Sequence, residues 1–518
     1  MMRTATILGL WSEIESDRLT LIDPSSWYSE GRPTVVTPSP AGVVIDDPPT
    51  IIDCYHGLSH FRLIDTLNYS RVPLQEMVGE IEPAAGLSRT FRHWVDTWVD
   101  HGFGGWGSTA SGLSWESWKK LTLKHYVHVH CQEPVTQLER RSFRGGICEA
   151  RRIGRIDEEV IGLDVKSFYP SIMQRLRVPT RLIEYYGGET EMPPDAIDRP
   201  DESIAEVHLK SDNVQYPVVQ GGITWYATGD FWTCLAGPEL RQAYQLSHVV
   251  GVGRAALYEC TQLFGDWVDA IFRLRQQCEA ADDKAGVALW KLVANSLYGR
   301  FSQRSPRWER GTPEISGPQW GQWVAYTDES ECPEVWRSIA GISWRRVDQG
   351  ESEDAMPAIS SFVTSAGRTM LRDIIRLAGE REVLYCDTDG LLVTREGLNR
   401  LSVTEHMYGD GPGKLRVTGT WHIGDIYGLK HYRLGDVLTC GGLSEYAEEV
   451  NQHEYLQQRR MRAASILADG PRDNIATWLE AFREDLCHPR GVVGADGWVT
   501  PRYIRDSSRV DFAAKKEV

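Results

Sequence analysis

The chain lacks any run of about 18 consecutive apolar residues, so no membrane-spanning helix is expected. Its ten cysteines are scattered singly, with no pair at metal-finger spacing. That excludes a zinc ribbon or disulfide framework and leaves reduced thiols as the expectation. The opening "MMRTATILGLWSEIESD" has one arginine, a short apolar stretch and early acids. It makes a poor secretion signal, and a cytoplasmic location is expected. Positive charge is in deficit: 56 Lys and Arg stand against 72 Asp and Glu, a net charge of −16. Taken alone this argues against a nucleic-acid binder, although a basic groove can sit on an acidic body. There is no internal repeat and no long low-complexity tract.

At 518 residues the chain exceeds one core and should divide into two to four domains. Residues 22–50, rich in Pro, Ser and Gly, read as loop with little regular structure. Alternation in "LKHYVHVH" predicts a strand near 123–130, and "EEVIGLD" at 158–164 a buried strand that delivers Asp164. Residues 264–301 read as two helical segments broken around "EAADDKAG", and 306–358 as an irregular or hairpin-forming insertion. From about 443 onward, "YAEEVNQHEYLQQRRMRAASILA" and "DNIATWLEAFREDL" predict a mostly helical unit.

The chemistry concentrates in "LYCDTDGLLV" at 384–393. Two apolar strands around an acidic, Gly-containing centre predict a β-hairpin with Asp387 and Asp389 at its tip. An acidic surface turn has the same signature. An aspartic-protease loop is excluded, because an extra Asp interrupts the "DTG" and no second copy exists. Two neighbouring carboxylates repel unless a cation sits between them. "DVKSFYPSIM" at 164–173 offers a partner. If Asp164 faces the tip, three carboxylates converge into an all-oxygen site suited to Mg²⁺ or Mn²⁺. "KLVANSLYGRF" at 291–301 adds a helix on which Val287, Trp290, Ala294 and Leu297 face the core. Lys291, Asn295 and Tyr298 form a neighbouring stripe, with Lys284 one heptad earlier. A cation for phosphates and a flat ring for a base would stand side by side; a solvated lysine and a core aromatic are the simpler reading.

In this order, "DVKSFYPSIM", "KLVANSLYG" and "YCDTD" resemble motifs A, B and C of family B DNA polymerases. "SFRGGICEA" at 142–150 resembles the Y-x-G-G element of the protein-primed branch found in phages and linear plasmids, with Phe143 in place of Tyr. "GLKHYRLGD" at 428–436 resembles its K-x-Y element, and "LTCGGLSE" at 438–445 the Gly-containing turn before the thumb. The resemblance covers roughly residues 60–518, densely from 142 to 445. It implies an α+β right hand of palm, fingers and thumb. It implies that Asp164, Asp387, Asp389 and the carbonyl of Val165 hold two Mg²⁺ ions, which Mn²⁺ can replace. Lys291, with Arg273 or Arg275 and Lys284, would grip the triphosphate. Ser167, Phe168, Asn295 and Tyr298 would line the nucleotide site. Tyr169 takes the place of the steric gate, or packs in the core beside Phe168. Phe143, Arg144, Gly145, Gly146, Lys430 and Tyr432 would contact DNA.

Two departures stand out. Gly390 replaces the serine usual after the second motif-C Asp, a change the turn should tolerate. Residues 1–150 contain no D-x-E, the first motif of the usual proofreading exonuclease. "FRLIDTLNYSRVPLQEM" at 61–77 and "FRHWVDTWVD" at 91–100 resemble late parts of that domain, but Arg92 stands where a Tyr is expected before Asp96. The resemblance therefore implies a shortened exonuclease-like remnant at 1–135. It further implies palm at 136–255, fingers at 256–305, palm with an insertion at 306–442, and thumb at 443–518. The expected function is template-directed DNA synthesis from dNTPs on a primer and template, without proofreading and with a terminal protein as a further primer. The same residues would serve primer-independent or template-independent synthesis, as in a defence system, or a catalytically silent nucleic-acid-binding scaffold.

Overall fold

A computed structural model of the protein describes residues 3–8, 14–15, 18–21, 34–36, 43–46, 51–56, 59–64, 69, 83–122, 126–188, 191–193, 197–220, 222–310, 321–325, 334–339, 342–404, 407–443, 447–451, 454–460, 477–483 and 491–506. The helices used below are α1 (Pro83–Asp100), α2 (Ala110–Leu121), α3 (Glu133–Ser142), α4 (Phe168–Met173), α5 (Gly237–Gln245), α6 (Gly265–Ala280), α7 (Lys284–Arg300), α8 (Pro357–Ala378) and α9 (Arg395–Ser402).

The segment "VIGLDV" carries apolar residues on both faces and so runs through the middle of a sheet. This sheet has the strands β1 (Cys148–Ala150), β2 (Val160–Val165), β3 (Val383–Asp387), β4 (Gly390–Thr394) and β5 (Leu415–Trp421), in the spatial order β5-β2-β4-β3-β1. The expected buried strand and the expected hairpin are both present. Helix α8 supports the site from behind, and its buried face is rich in small residues: Ser360, Ser361, Thr364, Ser365 and Gly367. Small side chains let neighbours approach closely. A Cβ on Gly367 would lie 3.0 Å from the rings of both Phe168 and Tyr169.

Helices α6 and α7 are the two expected segments. Between them Asp283 caps α7 by accepting from the Gly286 amide at 2.9 Å. The core face of α7 is wider than the stripe expected from spacing: Leu289 and Val293 are buried with Trp290, Ala294 and Leu297, while Val287 is half-buried. The reason is that α7 packs on two neighbours, α6 and α2. Trp98 of α1 stacks parallel to Trp290 at 6.3 Å, and Ser114 of α2 donates to the Val293 carbonyl at 2.6 Å. One hydrophobic core therefore runs from α1 and α2 through α7 to α8.

A second sheet has strands Arg177–Tyr186, Val249–Gln262, Ser203–Gln220, Ile223–Ala236 and Tyr503–Asp506 in that order, so the last strand pairs onto the body of the molecule. Within 306–358 the described residues form a four-stranded antiparallel sheet, in keeping with a hairpin-forming insertion. Three expectations need correction. Residues 22–50 contain strands Thr34–Val36 and Val43–Asp46, drawn out of loop composition by sheet pairing. The strand near 123–130 reduces to a single bridge from His128 to Arg181, with 123–125 outside the described residues. Beyond 443 the described residues are strands, not helices: Glu454–Arg460 pairs with Glu448–Asn451 and with Thr477–Arg483. Helix-favouring composition loses here to non-local pairing, and Tyr455 and Gln457 are buried at alternate positions as a strand requires. The rest of those two stretches lies outside the described residues.

Candidate active site

The acids meet through backbone register. Asp164 of β2 pairs with Gly390 of β4, which pairs on its other side with Asp387 of β3. The Val165 amide donates to the Asp389 carbonyl at 2.9 Å, tying motif A to the tip. The turn itself is closed by the Asp389 amide on the Asp387 carbonyl at 2.7 Å. Thr388 takes its left-handed conformation, with φ of 61°. Gly390 is not the residue with positive φ, and a Cβ there would meet Leu163 and Asp387 carbonyls at 3.7 and 3.8 Å, ordinary contact. The family's serine would fit, so the freedom of glycine does not explain the departure.

Electrostatics at the tip are uneven. Burial, followed by the charge of Asp164, pushes the Asp389 carboxyl up to about 6. Lys291 on α7 acts against that rise. Asp387 is paired with Lys430 Nζ at 3.0 Å, and this hydrogen bond holds the lysine above its ordinary range. Asp164 accepts from Arg416 of β5, whose Nε and Nη2 lie 3.0 and 2.8 Å from the same oxygen, Oδ2. Among the described residues, no three His, Cys, Asp or Glu side chains come close enough to hold a metal in this arrangement. The donor set still fits a hard divalent cation, because Asp164, Asp387 and Asp389 offer oxygen donors only.

Around the tip, Tyr169 is 9% exposed and packs against Phe168 at 5.2 Å and Tyr298 at 4.7 Å. Burial raises both Tyr169 and Tyr298, so both hydroxyls stay neutral. Ser167 is left-handed, with φ of 54°, and accepts from Arg275 Nη1 at 3.1 Å. Arg275 is also paired with Glu279 at 3.0 Å, whereas Arg273 is exposed beside a groove that includes Arg175 and Asp269. Lys291 and Lys284 are exposed, and Asn295 donates back to the Lys291 carbonyl at 2.8 Å.

The Phe143–Gly146 element presses on the tip from the far side. A Cβ on Gly146 would lie 2.7 Å from the Thr388 hydroxyl, and the Thr388 amide donates to the Ile147 carbonyl at 2.7 Å. Buried Arg368 donates to the carbonyls of Arg144 and Gly145, and Tyr226 donates to those of Gly145 and Gly146. Arg368 is itself paired with fully buried Glu239, which also takes Arg372 at 2.9 Å. Tyr432 packs at 5.1 Å on Tyr385, whose hydroxyl accepts from the Lys430 amide at 3.0 Å. Sequence reading missed Arg368, Glu239, Tyr226 and Arg416. No local spacing connects them to the acids.

Towards the N-terminus, Arg92 and Asp96 are both exposed on α1. Glu13, Glu15, Asp46, Asp47, Asp53 and Asp65 lie outside the residues whose side chains are described.

Acids at a hairpin tip in a small sheet, with a helix pair presenting Lys291 and Tyr298 beside them, form the architecture of a right-hand polymerase. Residues 107–307 match the family described as DNA polymerase type B, organellar and viral. The DNA-directed DNA polymerase of Enterobacteria phage PRD1 is 25% identical over 270 residues, covering 51% of this chain. The chain spans 46% of that relative's length. Phi29 DNA polymerase has a similar structure. Its complex with primer-template DNA and incoming nucleotide matches with TM-score 0.57 at 15% identity, covering 85% of this chain and 84% of that one. Its post-translocation complex with primer-template DNA matches with TM-score 0.54 at 17% identity, covering 78% and 77%. The fold is the right hand expected, and the resemblance to family B DNA polymerases, of the organellar and viral kind, is borne out. No helix among the described residues is long and apolar enough to cross a membrane.

Proposed function

We propose that this chain is a DNA-directed DNA polymerase of the protein-primed type, extending a primer 3′-hydroxyl with dNTPs on a DNA template. The observation that carries the reading is the register that sets Asp164 and Asp387 on either side of Gly390, with Asp389 at the same tip. Asp164, Asp389 and the Val165 carbonyl would hold two Mg²⁺ or Mn²⁺ ions, and Asp387 would be a weaker ligand. Divalent ions bound there would lower the pKa of the primer hydroxyl and balance charge on the leaving pyrophosphate. Lys291, with Arg273 and Lys284, supplies fixed positive charge for the triphosphate. Arg275, which donates to the Ser167 hydroxyl at 3.1 Å, adds positive charge beside motif A. Tyr169 and Tyr298 wall the sugar and base, and Asn295 braces the helix that carries Lys291. Lys430, Tyr432 and the Phe143–Gly146 element lie where the primer end would rest. The N-terminal region acts as a remnant without proofreading, and a terminal protein would provide the first hydroxyl in the cytoplasm of a bacterial host.

The test is primer extension on a defined hairpin template, with and without Mg²⁺. Asp164→Ala and Asp389→Ala should each abolish incorporation while DNA binding survives, since losing a ligand removes several kcal/mol of transition-state stabilisation. Near-normal extension by either variant would overturn the assignment. Incubation with each dNTP in the absence of template or primer separates this reading from template-independent or primer-independent synthesis.

A further inference from the structure

Two of the three carboxylates at the tip are already neutralised by side chains of this chain. Lys430 takes Asp387, and Arg416 takes Asp164. The two cations differ in what anchors them. Lys430 belongs to the K-x-Y element, and its backbone is pinned by hydrogen bonds to Tyr385 and Gly441. Arg416 sits on β5, the last strand in the sheet order, directly across from Asp164, with its side chain 53% exposed. Both of its bonds go to a single oxygen, Oδ2, rather than spreading over the carboxylate as a fork-to-fork pair does. Lys166 follows directly on β2 and Lys414 directly precedes β5, and the Lys166 amide donates to the Lys414 carbonyl at 2.9 Å.

We propose that Arg416 is an exchangeable counter-ion for Asp164: the guanidinium neutralises the carboxylate in the free protein and yields it to a divalent cation, so that Arg416 sets the cation affinity of the tip. The inference rests on the reading of Asp164 as a metal ligand. It accounts for the fact that no three acids among the described residues are gathered closely enough to hold a metal while the pairs are in place. A half-exposed ion pair is weak, worth up to about a fivefold factor in an equilibrium. A divalent cation shared between Asp164 and Asp389 can displace it, and the exposed arginine can swing into solvent. Arg416 is thus a positioning residue: it keeps Asp164 compensated between turnovers and competes with the ion for one oxygen.

The measurement is Mn²⁺ binding to the full chain without DNA or nucleotide, followed by the electron paramagnetic resonance signal of free Mn²⁺. Arg416→Gln should bind Mn²⁺ about fivefold tighter than wild type. Arg416→Lys should fall between them, and Asp164→Asn should bind most weakly. A second readout is melting temperature. In EDTA Arg416→Gln should melt below wild type, because Asp164 loses its counter-ion, and added Mn²⁺ should raise its melting temperature by more than it raises that of wild type. Unchanged or weaker Mn²⁺ binding by Arg416→Gln, with Asp164→Asn still impaired, overturns the exchange and leaves Asp164 as a ligand. Unchanged binding by Asp164→Asn overturns the metal reading itself.

Discussion

In the proposed function Tyr169 would serve packing and selection together. Its ring is wedged between Phe168, Tyr298 and the Gly367 turn of α8, so it cannot rotate away. A fixed ring at the start of α4, two residues beyond left-handed Ser167, would form a rigid wall against a 2′-hydroxyl in the proposed nucleotide site. Tyr169→Val should admit ribonucleotides and lower dNTP use modestly, measured as the ratio of rNTP to dNTP incorporation. An unchanged ratio would assign the ring to packing alone. Stability should also fall, by about 1–3 kcal/mol, because the ring fills a buried site.

At the scale of elements, the hairpin tip depends on the loop behind it. Gly146 leaves no room for a Cβ: the Thr388 hydroxyl, Cγ2 and Cβ would stand at 2.7, 2.8 and 3.0 Å. Thr388 is also held at a positive φ that β-branched residues rarely adopt. Gly146→Ala should therefore push the Asp387–Asp389 turn out of place and cut the incorporation rate by tenfold or more, a loss of about 1.4 kcal/mol. Thr388→Gly removes the obstructing side chain and relieves the φ. The double variant should recover most of the rate in the same steady-state assay. Failure of the second change to rescue the first would show that Gly146 acts through DNA and not through the turn.

Across the whole molecule, one buried charge cluster links α5, α8 and the loop at the site. Burial alone would raise Glu239, but the charges of Arg368 and Arg372 outweigh it and hold the carboxyl below its ordinary 4.5. A depressed carboxyl contributes stability that is present above the unfolded value near 4.5 and lost as pH falls through the folded value. Wild type should then lose melting temperature steeply below about pH 4.5, and Glu239→Gln should flatten that slope. At pH 7 the same change should cost about 3–5 kcal/mol, because Arg368 is left buried without a counter-charge. A melting curve of Glu239→Gln parallel to wild type between pH 3 and 7 would exclude this cluster as the acid-sensitive element. Trp98 of α1 stacks on Trp290 of α7, and residues 1–150 contain no D-x-E. Purified protein should accordingly leave a labelled, mismatched primer intact in Mg²⁺ without dNTPs. Shortening that vanishes in Asp96→Ala would reveal a proofreading site.

Asp164, Asp387, Asp389, Lys291, Tyr169 and Tyr298 could be read from the chain because each belongs to a short run whose local pattern, strand, tight turn or helix, places it without help from distant residues. Helices α6 and α7 and the acidic hairpin follow for the same reason. Arg416, Arg368 and Glu239 could not be read, because their partners lie 252 and 129 positions away and only the strand order brings them together. The segment after 443 misled for a related cause. Its composition favours helix by tenths of a kcal/mol per residue, and pairing between Glu454–Arg460 and Thr477–Arg483 overrides so small a bias. Local sequence determined which acids stand at the tip; tertiary packing decided which cations neutralise them, because charge pairing depends on distance in space and not along the chain.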